Sequence, residues 1–411
     1  MSLSLAALRE TAFARAQALG YPQRRTESYR YLNLKALRET AWVPAGGATA
    51  EQLQAARVLV RDHALPGREV FVFWNGQFVR ELSLVADVAE LSPVEWASSI
   101  EGVTAKTLVV DYFDSMNESR WGGGVRLRVA EGAKRQVQLL YISQSVGGAT
   151  WAPSQTLVEV AEGADVDVFE QHVSGPVNAG LRNPCWAQPE VRVNVATGAR
   201  LQWTQWQNLS AADFMVQRSR FVVAARAQVR VLHIAAGGAL ARQNVDYHVN
   251  GEGADVTLNG ISLVGPGQTV DFHTLVDHAV GGSQTRQLYK GILGSDAQAV
   301  FNGRVVIQKN AQKASSEQLN QNLLLSDRSE IDSKPELEIF ADDVKATHGS
   351  AIGQLNDDEV FYLRSRGIPR AQAQEMIALG SVVGLVDELD GDELKQSLTR
   401  ALGVAYRRIH E

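Results

Sequence analysis

Cysteine is almost absent: Cys185 is the single thiol in 411 residues. One thiol makes no internal disulfide, so the chain fits a reducing compartment and a fold that holds without staples. The same scarcity excludes a zinc site of the CxxC kind, and no HExxH stretch replaces it. There is no GxxxxGK(S/T) run to cradle nucleotide phosphates and no GxSxG to present a nucleophilic serine. A self-contained active site therefore has little support, and the expectation is that the protein is not an enzyme. No stretch reaches eighteen apolar residues, and Met1 to Arg25 carries Arg9, Glu10 and Arg15 without an apolar block. A cytoplasmic protein with neither membrane span nor secretory signal is expected. Excess base is missing too. Forty Lys and Arg face 46 Asp and Glu, a formal charge of −6, which argues against a nucleic-acid or anionic-membrane partner. What remains is 45% hydrophobic and 21% charged, enough for a sizeable core and, at this length, two or three structural units.

Three zones differ in periodicity. In residues 1–121, Leu5, Leu8, Ala12, Ala16 and Leu19 recur at helical spacing, and Thr49 to His63 makes a second helical run on Leu53, Ala56, Val58 and Val60. Glu69 to Val79 reads as a hairpin, FVFW and QFV around Asn75-Gly76, because that pair accepts the positive φ of a tight turn. This zone is α+β and mostly helical.

Residues 122–345 alternate instead. Val125, Leu127 and Val129 face one way, Arg126 and Arg128 the other. A phrase then returns: Gly132-Ala133 before QVQLLY, Gly163-Ala164 before DVDVFE, Gly198-Ala199 before RLQWTQW, Arg226-Ala227 before QVRVLHI, Gly253-Ala254 before DVTLNGI and Asp296-Ala297 before QAVFNG. The alanines stand at 133, 164, 199, 227, 254 and 297, in steps of 31, 35, 28, 27 and 43. A tight turn followed by a period-two strand at such spacing predicts a mainly β chain with a parallel β-helix core. A β-sandwich with glycine turns is the alternative, and the step of 43 keeps it open.

Residues 346–411 return to helical spacing. Asn356 to Glu359 offers a capping box, Gly367 a stop, and Pro369 the first turn of a further helix. Ala373, Ile377, Gly380 and Gly384 form a small-residue stripe suited to close helix packing. Leu394, Leu398, Leu402, Ala405 and Ile409 form one apolar face, which a short hairpin does not cover and which a partner is expected to bury.

Few residues offer chemistry. His233 and His248 lie in strand-like runs and read as hydrogen-bonded structural residues, and His273 and His278, five apart, share no strand face. Cys185 sits in RNPCWAQPE, read as a proline-flanked connection. Asp165 with Asp167, and Asp342 with Asp343, are the carboxylate pairs that a β-helical carbohydrate-active enzyme would need, although turn chemistry and solvation also explain them. The most informative stretch is KPELEIFADDVKATHGSAIGQL, Lys334 to Leu355. Leu337 and Ile339 alternate; Val344, Ala346 and His348 follow at spacing two, and Gly349 is expected to end the strand. That places His348 at a junction suited to a ligand, with Asp342 and Asp343 near enough to raise the basicity of an imidazole they approach.

This stretch, with DDEVFYLRSRGI (Asp357–Ile368), TRQLYKG (Thr285–Gly291), AVFNG (Ala299–Gly303), NLLL (Asn322–Leu325) and TESYRYLNL (Thr26–Leu34), resembles the SufB/SufD family of iron–sulfur cluster assembly scaffolds nearly end to end. The modest length and the SRGI-containing helix resemble its SufD branch. The resemblance implies a right-handed parallel β-helix over 122–345, an N-terminal α+β domain over 1–121 and a C-terminal helical region over 346–411 that docks a SufC-like ATPase. It further implies a non-catalytic scaffold that pairs with a SufB-like subunit through the β-helices, a homodimer of the isolated chain being the other pairing. A transient cluster would form at the shared interface, where the histidine of the DVKxxHG motif, here His348, serves as a metal and cluster ligand. Many SufD sequences have cysteine two residues before it; here that residue is Ala346, so thiolates would come from the partner chain. Some family complexes bind reduced flavin, for which no residue here gives a sign.

Overall fold

The computed structural model describes residues 5–85, 89–99, 109–120, 122, 124–145, 147–175 and 183–409. The chain enters through α1 (Leu5–Leu19), α2 (Lys35–Glu39), β1 (Val43–Pro44) and α3 (Ala50–His63). The hairpin β2 (Glu69–Trp74) and β3 (Gln77–Phe78) follows, then β4 (Ala89–Leu91), α4 (Pro93–Ser98) and α5 (Tyr112–Ser119). Thr49 caps α3 reciprocally with Gln52, and Asn75 and Gly76 both take the positive φ that the hairpin requires.

Beyond this lies a parallel β-solenoid, each coil giving one strand to each of two sheets. The strands alternate between the sheets along the chain: β5 (Gly124–Val129), β6 (Lys134–Ser143), β7 (Thr150–Val160), β8 (Asp165–Ser174), β9 (Cys185–Val195), β10 (Arg200–Asn208), β11 (Phe214–Val223) and β12 (Gln228–Ala235). They continue as β13 (Leu240–Val249), β14 (Asp255–Val264), β15 (Thr269–His278), β16 (Gln284–Leu293), β17 (Gln298–Ile307), β18 (Ser315–Leu324), β19 (Glu330–Ile339) and β20 (Lys345–Gln354). From β5 onward odd-numbered strands make the first sheet and even-numbered strands the second; β4 joins the first, and β2 and β3 the second. Because neighbours within each sheet from β5 to β20 run parallel, the sandwich alternative falls.

The repeated phrase builds one corner of the coil. Gly132, Gly163, Gly198, Arg226 and Gly253 have φ between 54° and 72°, and the next residue drops inward, where Ala164, Ala199, Ala227 and Ala254 are buried. The series continues at Ser283, after Gly282 (φ 69°), and at Ala314, after Lys313 (φ 62°), in steps of 29 and 31. Asp296-Ala297 belongs to the opposite corner, between β16 and β17, so the step of 43 joins two different corners. The copy that reads Ser283 keeps its small inward residue polar because His278 Nδ1 meets the hydroxyl at 2.7 Å.

Register holds from coil to coil, so that Val166, Leu201, Val229 and Val256 stack in one inward column. Burying each such side chain stabilises the fold by about 1.5–3 kcal/mol. Phe73 of β2 stacks on Tyr141 (4.3 Å), which stacks on His172 (4.6 Å), so the N-terminal hairpin forms the first rung of the second sheet. Further along, a methyl on Gly260 would lie 2.2 Å from the Tyr289 ring, so only glycine fits there. With β3 flanking β2 and β4 antiparallel to β5, the start of the coil is covered. Its end is not: β19 and β20 are edge strands, and Pro335 within β19 suits an edge. Gly349 does not end β20. It pairs opposite Leu319 and the strand runs on to Gln354, the ladder to β18 overriding the local turn signal.

Outside the first sheet, α5 docks through buried charge. Asp114 meets both Arg218 and Arg220, Glu190 meets Arg192 and Arg220, and Glu118 meets Arg192. Burial pushes the Asp114 carboxyl upward, but the two guanidinium groups outweigh it and hold its pKa below the usual range.

Outside the second sheet lie α6 (Asp357–Ser365), α7 (Arg370–Asp387) and α8 (Asp392–Arg408). Asn356 caps α6 by accepting from Asp358 N–H, a single cap in place of the expected box, and Gly367 (φ 85°) ends it. The stripe Leu394, Leu398, Leu402, Ala405 and Ile409 is not free for a partner. It is buried in one cluster with Trp206, Leu232, Ile234, Ile261, Leu263 and Ile292, because the outer face of the sheet is apolar where the helices lie. Nor do Gly380 and Gly384 permit a close approach, since nothing stands within 4 Å of a methyl added there. Helix α7 packs through Ala378, Val382, Leu385 and Val386.

Candidate functional site

His348 is the fourth residue of β20, in register with Gln318 of β18. Two residues on, Ser350 Oγ meets Ser333 Oγ of β19 at 2.9 Å, so this face of β20 looks towards the interior of the coil. No further coil follows, and the imidazole is exposed, without a hydrogen bond or ion pair among the described residues. Ala346 shares the face and packs, partly buried, on the core. Asp342 and Asp343 stand in the corner before β20. Asp343 N–H donates to Gln312 Oε1 and its carbonyl accepts from Lys313 N–H, and neither carboxylate bonds to His348. Around this end, Phe340 is 59% and Ile352 55% exposed, with Ile339 and Leu319 also open. The coil thus ends on unpaired strand edges, an apolar rim and one free imidazole.

That donor set is small. No group of three His, Cys, Asp or Glu among the described residues could hold a metal ion. Cys185 opens β9, not a connection, and is buried, so it offers no thiolate here. A cluster docked at His348 would take its other ligands from a second chain.

The remaining candidates are dispersed. Asp165 pairs with Lys134 and Asp167 with Arg68 on the outer face of the second sheet, so each carboxylate is held by a cation of its own. His233 is buried with Nδ1 at 2.9 Å from Gln205 Oε1, and His248 is buried beside Asp277. His278 faces inward and His273 outward on β15, as their odd spacing requires. Inside the coil, Glu170 bonds His172 Nε2 (2.7 Å), Trp203 Nε1 (3.0 Å) and Gln217 Nε2 (3.1 Å). Burial pushes its carboxyl upward, but the bond to His172 prevails and its pKa lies below the usual value. This network is sealed and reads as structural.

A second surface escaped the sequence reading. On α6 only Val360 is buried, while Phe361 is 70% and Tyr362 57% exposed, and Met376 of α7 is exposed as well. The signal was in DEVFYLRS, where two adjacent aromatics cannot both face one core.

Comparison with known proteins closes the question of family. Residues 141–381 match the family described as "SUF system FeS cluster assembly, SufBD core domain". The chain belongs to the SufBD family. An iron–sulfur cluster assembly protein SufD of Escherichia coli is 30% identical over 93% of this chain and 89% of its own length. A SufBD family protein of Synechocystis is 27% identical over 92% of this chain and 84% of its own. A SufD of Bacillus subtilis is 34% identical over a shorter stretch, 34% of this chain and 32% of its own. SufBD membership places the chain in iron–sulfur cluster assembly. No helix among its described residues is long and apolar enough to cross a membrane.

Proposed function

We propose that this chain is a non-catalytic, cytoplasmic scaffold subunit that pairs with a SufB-like chain through the open end of its solenoid and presents His348 to a cluster assembled between them. The observation that carries the reading is the contrast between the two ends of the coil: the first is covered by β3 and β4, whereas among the described residues β19 and β20 are paired on one side only, with β17 and β18. Ten-residue edge strands with an apolar rim template the addition of further strands, and a second solenoid is the partner whose geometry continues both sheets at once. The free imidazole lies on that end. It supplies one nitrogen ligand, and the thiolates that Ala346 does not provide fall to the partner. The exposed Phe361 and Tyr362 of α6, and the exposed Met376 of α7, support docking of a SufC-like ATPase on the helical region, away from the buried stripe of α8.

The test is co-expression with SufB-like and SufC-like chains. Ile352→Asp is expected to abolish capture of the SufB-like chain, and Phe361→Glu to release the ATPase alone. His348→Ala is expected to leave the complex intact with less iron and sulfide per complex. Unchanged iron and sulfide in His348→Ala would make the residue structural; intact pairing in Ile352→Asp would move the interface elsewhere.

A further inference from the structure

Two of the stretches that carried the family resemblance, TESYR near the start and KPELE near the end, meet in space. Glu27 Oε1 accepts from Lys334 Nζ at 2.6 Å across 307 residues of sequence. Beneath this contact, between the Thr26–Ser28 segment and the outer face of the first sheet, lies a cavity of about 460 Å³. The segment is anchored beside it: the Tyr29 hydroxyl donates to Asp111, and its ring lies 4.1 Å from the Arg242 guanidinium.

The floor of the cavity is an uncharged ladder. Asn244, His273 and Asn302 stand in direct register on β13, β15 and β17, about 4.8 Å apart. Asn244 Nδ2 is spent on the carbonyl of Gln217, which leaves its Oδ1 as an acceptor. His273 Nε2 lies 3.1 Å from Asp271, whose carboxylate is buried and held by Arg242. Burial, and then Arg242, lower the His273 pKa and so favour the neutral ring. With the proton on Nε2, the nitrogen nearer Asp271, Nδ1 is an acceptor. Asn302 makes no hydrogen bond among the described residues.

The walls carry both signs of charge in pairs. At the outer side Lys334 sits between Glu27 and Glu336, and Arg304 holds Glu338 with two bonds of 2.8 Å. At the inner side Arg218 meets Asp111 and Asp246. A ligand of one charge meets its own sign on some wall. An apolar ligand leaves the polar groups of the floor unsatisfied, and among the described lining residues no ring other than the His273 imidazole of the floor is offered to a planar heterocycle. A molecule with an amine at one end and a carboxylate at the other satisfies floor and walls together: the ammonium donates to Asn244 Oδ1 and His273 Nδ1, and the carboxylate turns to Lys334 and Arg304.

We propose that this cavity, flanked by the Thr26–Ser28 strap, binds a small zwitterion of the α-amino-acid class. The proposal is independent of any role for His348. It is tested by isothermal titration of the full chain with L-serine, set against acetate and ethylammonium as single-charge fragments of the same ligand. Serine is expected to bind saturably and each fragment about tenfold more weakly or less still. Asn302→Leu and Lys334→Met are each expected to weaken serine binding by about tenfold with the urea midpoint unchanged. No saturable heat with serine overturns the proposal, as does serine binding no tighter than its fragments. Full affinity in both variants overturns it equally, and the fragment comparison on the unaltered chain decides the matter even if a variant fails to fold.

Discussion

Leu402 sits at the middle of α8 with none of its surface exposed, against the apolar outer face of the second sheet, whereas Val404, two residues on, is 43% exposed. Leu402→Ala removes three carbons from a cluster that includes Trp206, Ile234, Ile261 and Leu263. Lost transfer energy and an incompletely closed cavity together cost about 2–5 kcal/mol. The rigid sheet beneath cannot move in to fill the gap, which argues for the upper half of that range. Val404→Ala is expected to change stability by less than about 0.5 kcal/mol. Urea unfolding followed by tryptophan fluorescence reads both variants, with Trp206 itself in the affected cluster. A solenoid can unfold coil by coil, so the midpoint of the phase that reports on this face is the quantity to compare. If Leu402→Ala costs no more than Val404→Ala, α8 is not seated on the sheet in solution, and the stripe is again free for a partner.

Three further outcomes are expected. Asp114→Ala strands Arg218 and Arg220 without their shared carboxylate and should lower stability by about 3–5 kcal/mol, whereas Asp165→Asn, at an exposed pair, should change it by less than about 1 kcal/mol in chemical denaturation. Burial lowers the His233 and His278 pKa values from 6.5 to about 4. Between those values the unfolded chain takes up protons that the folded chain refuses, so stability should fall with pH from about 6.5 to about 4, by up to about 1.4 kcal/mol per unit for each ring; His233→Gln should flatten the urea-midpoint profile in that window. Gly260→Ala drives a methyl into the Tyr289 ring and should cost about 1–3 kcal/mol, measured in the same way.

Much of the architecture was legible because a coil repeats its constraints. Each turn needs one residue of positive φ followed by a small inward one, and five copies of the phrase mark a single corner faithfully. The copies at Ser283 and Ala314 are hidden because serine replaces the inward alanine in one and lysine the glycine in the other. Asp296-Ala297 joins the series because both corners pose the same steric problem. The apolar stripe of α8 is a buried face, as its spacing implies, but its cover is not a partner. Periodicity tells that a face is buried and not by what; here the cover is strands between Trp206 and Ile292, far upstream in the chain. For the candidate site, spacing placed His348 on the same face as Ala346. Its exposure follows from being on the last strand, a property of the whole coil that no local pattern encodes. The meeting of Glu27 with Lys334 was invisible for the same reason, since neither residue carries a sign of the other.

The open edge at β19 and β20 also has a consequence for biosynthesis. A ribosome delivers the covered end first, and each coil can be laid on the one before it as it emerges, so the template is always ready for the next strand. The open edge is made after every other coil, from residues 330–354, ahead only of α6, α7 and α8. A chain terminated before residue 330 therefore lacks the strands through which the proposed pairing would form. On the proposed pairing, assembly is in this way conditional on a finished coil, though not on the three helices that follow it.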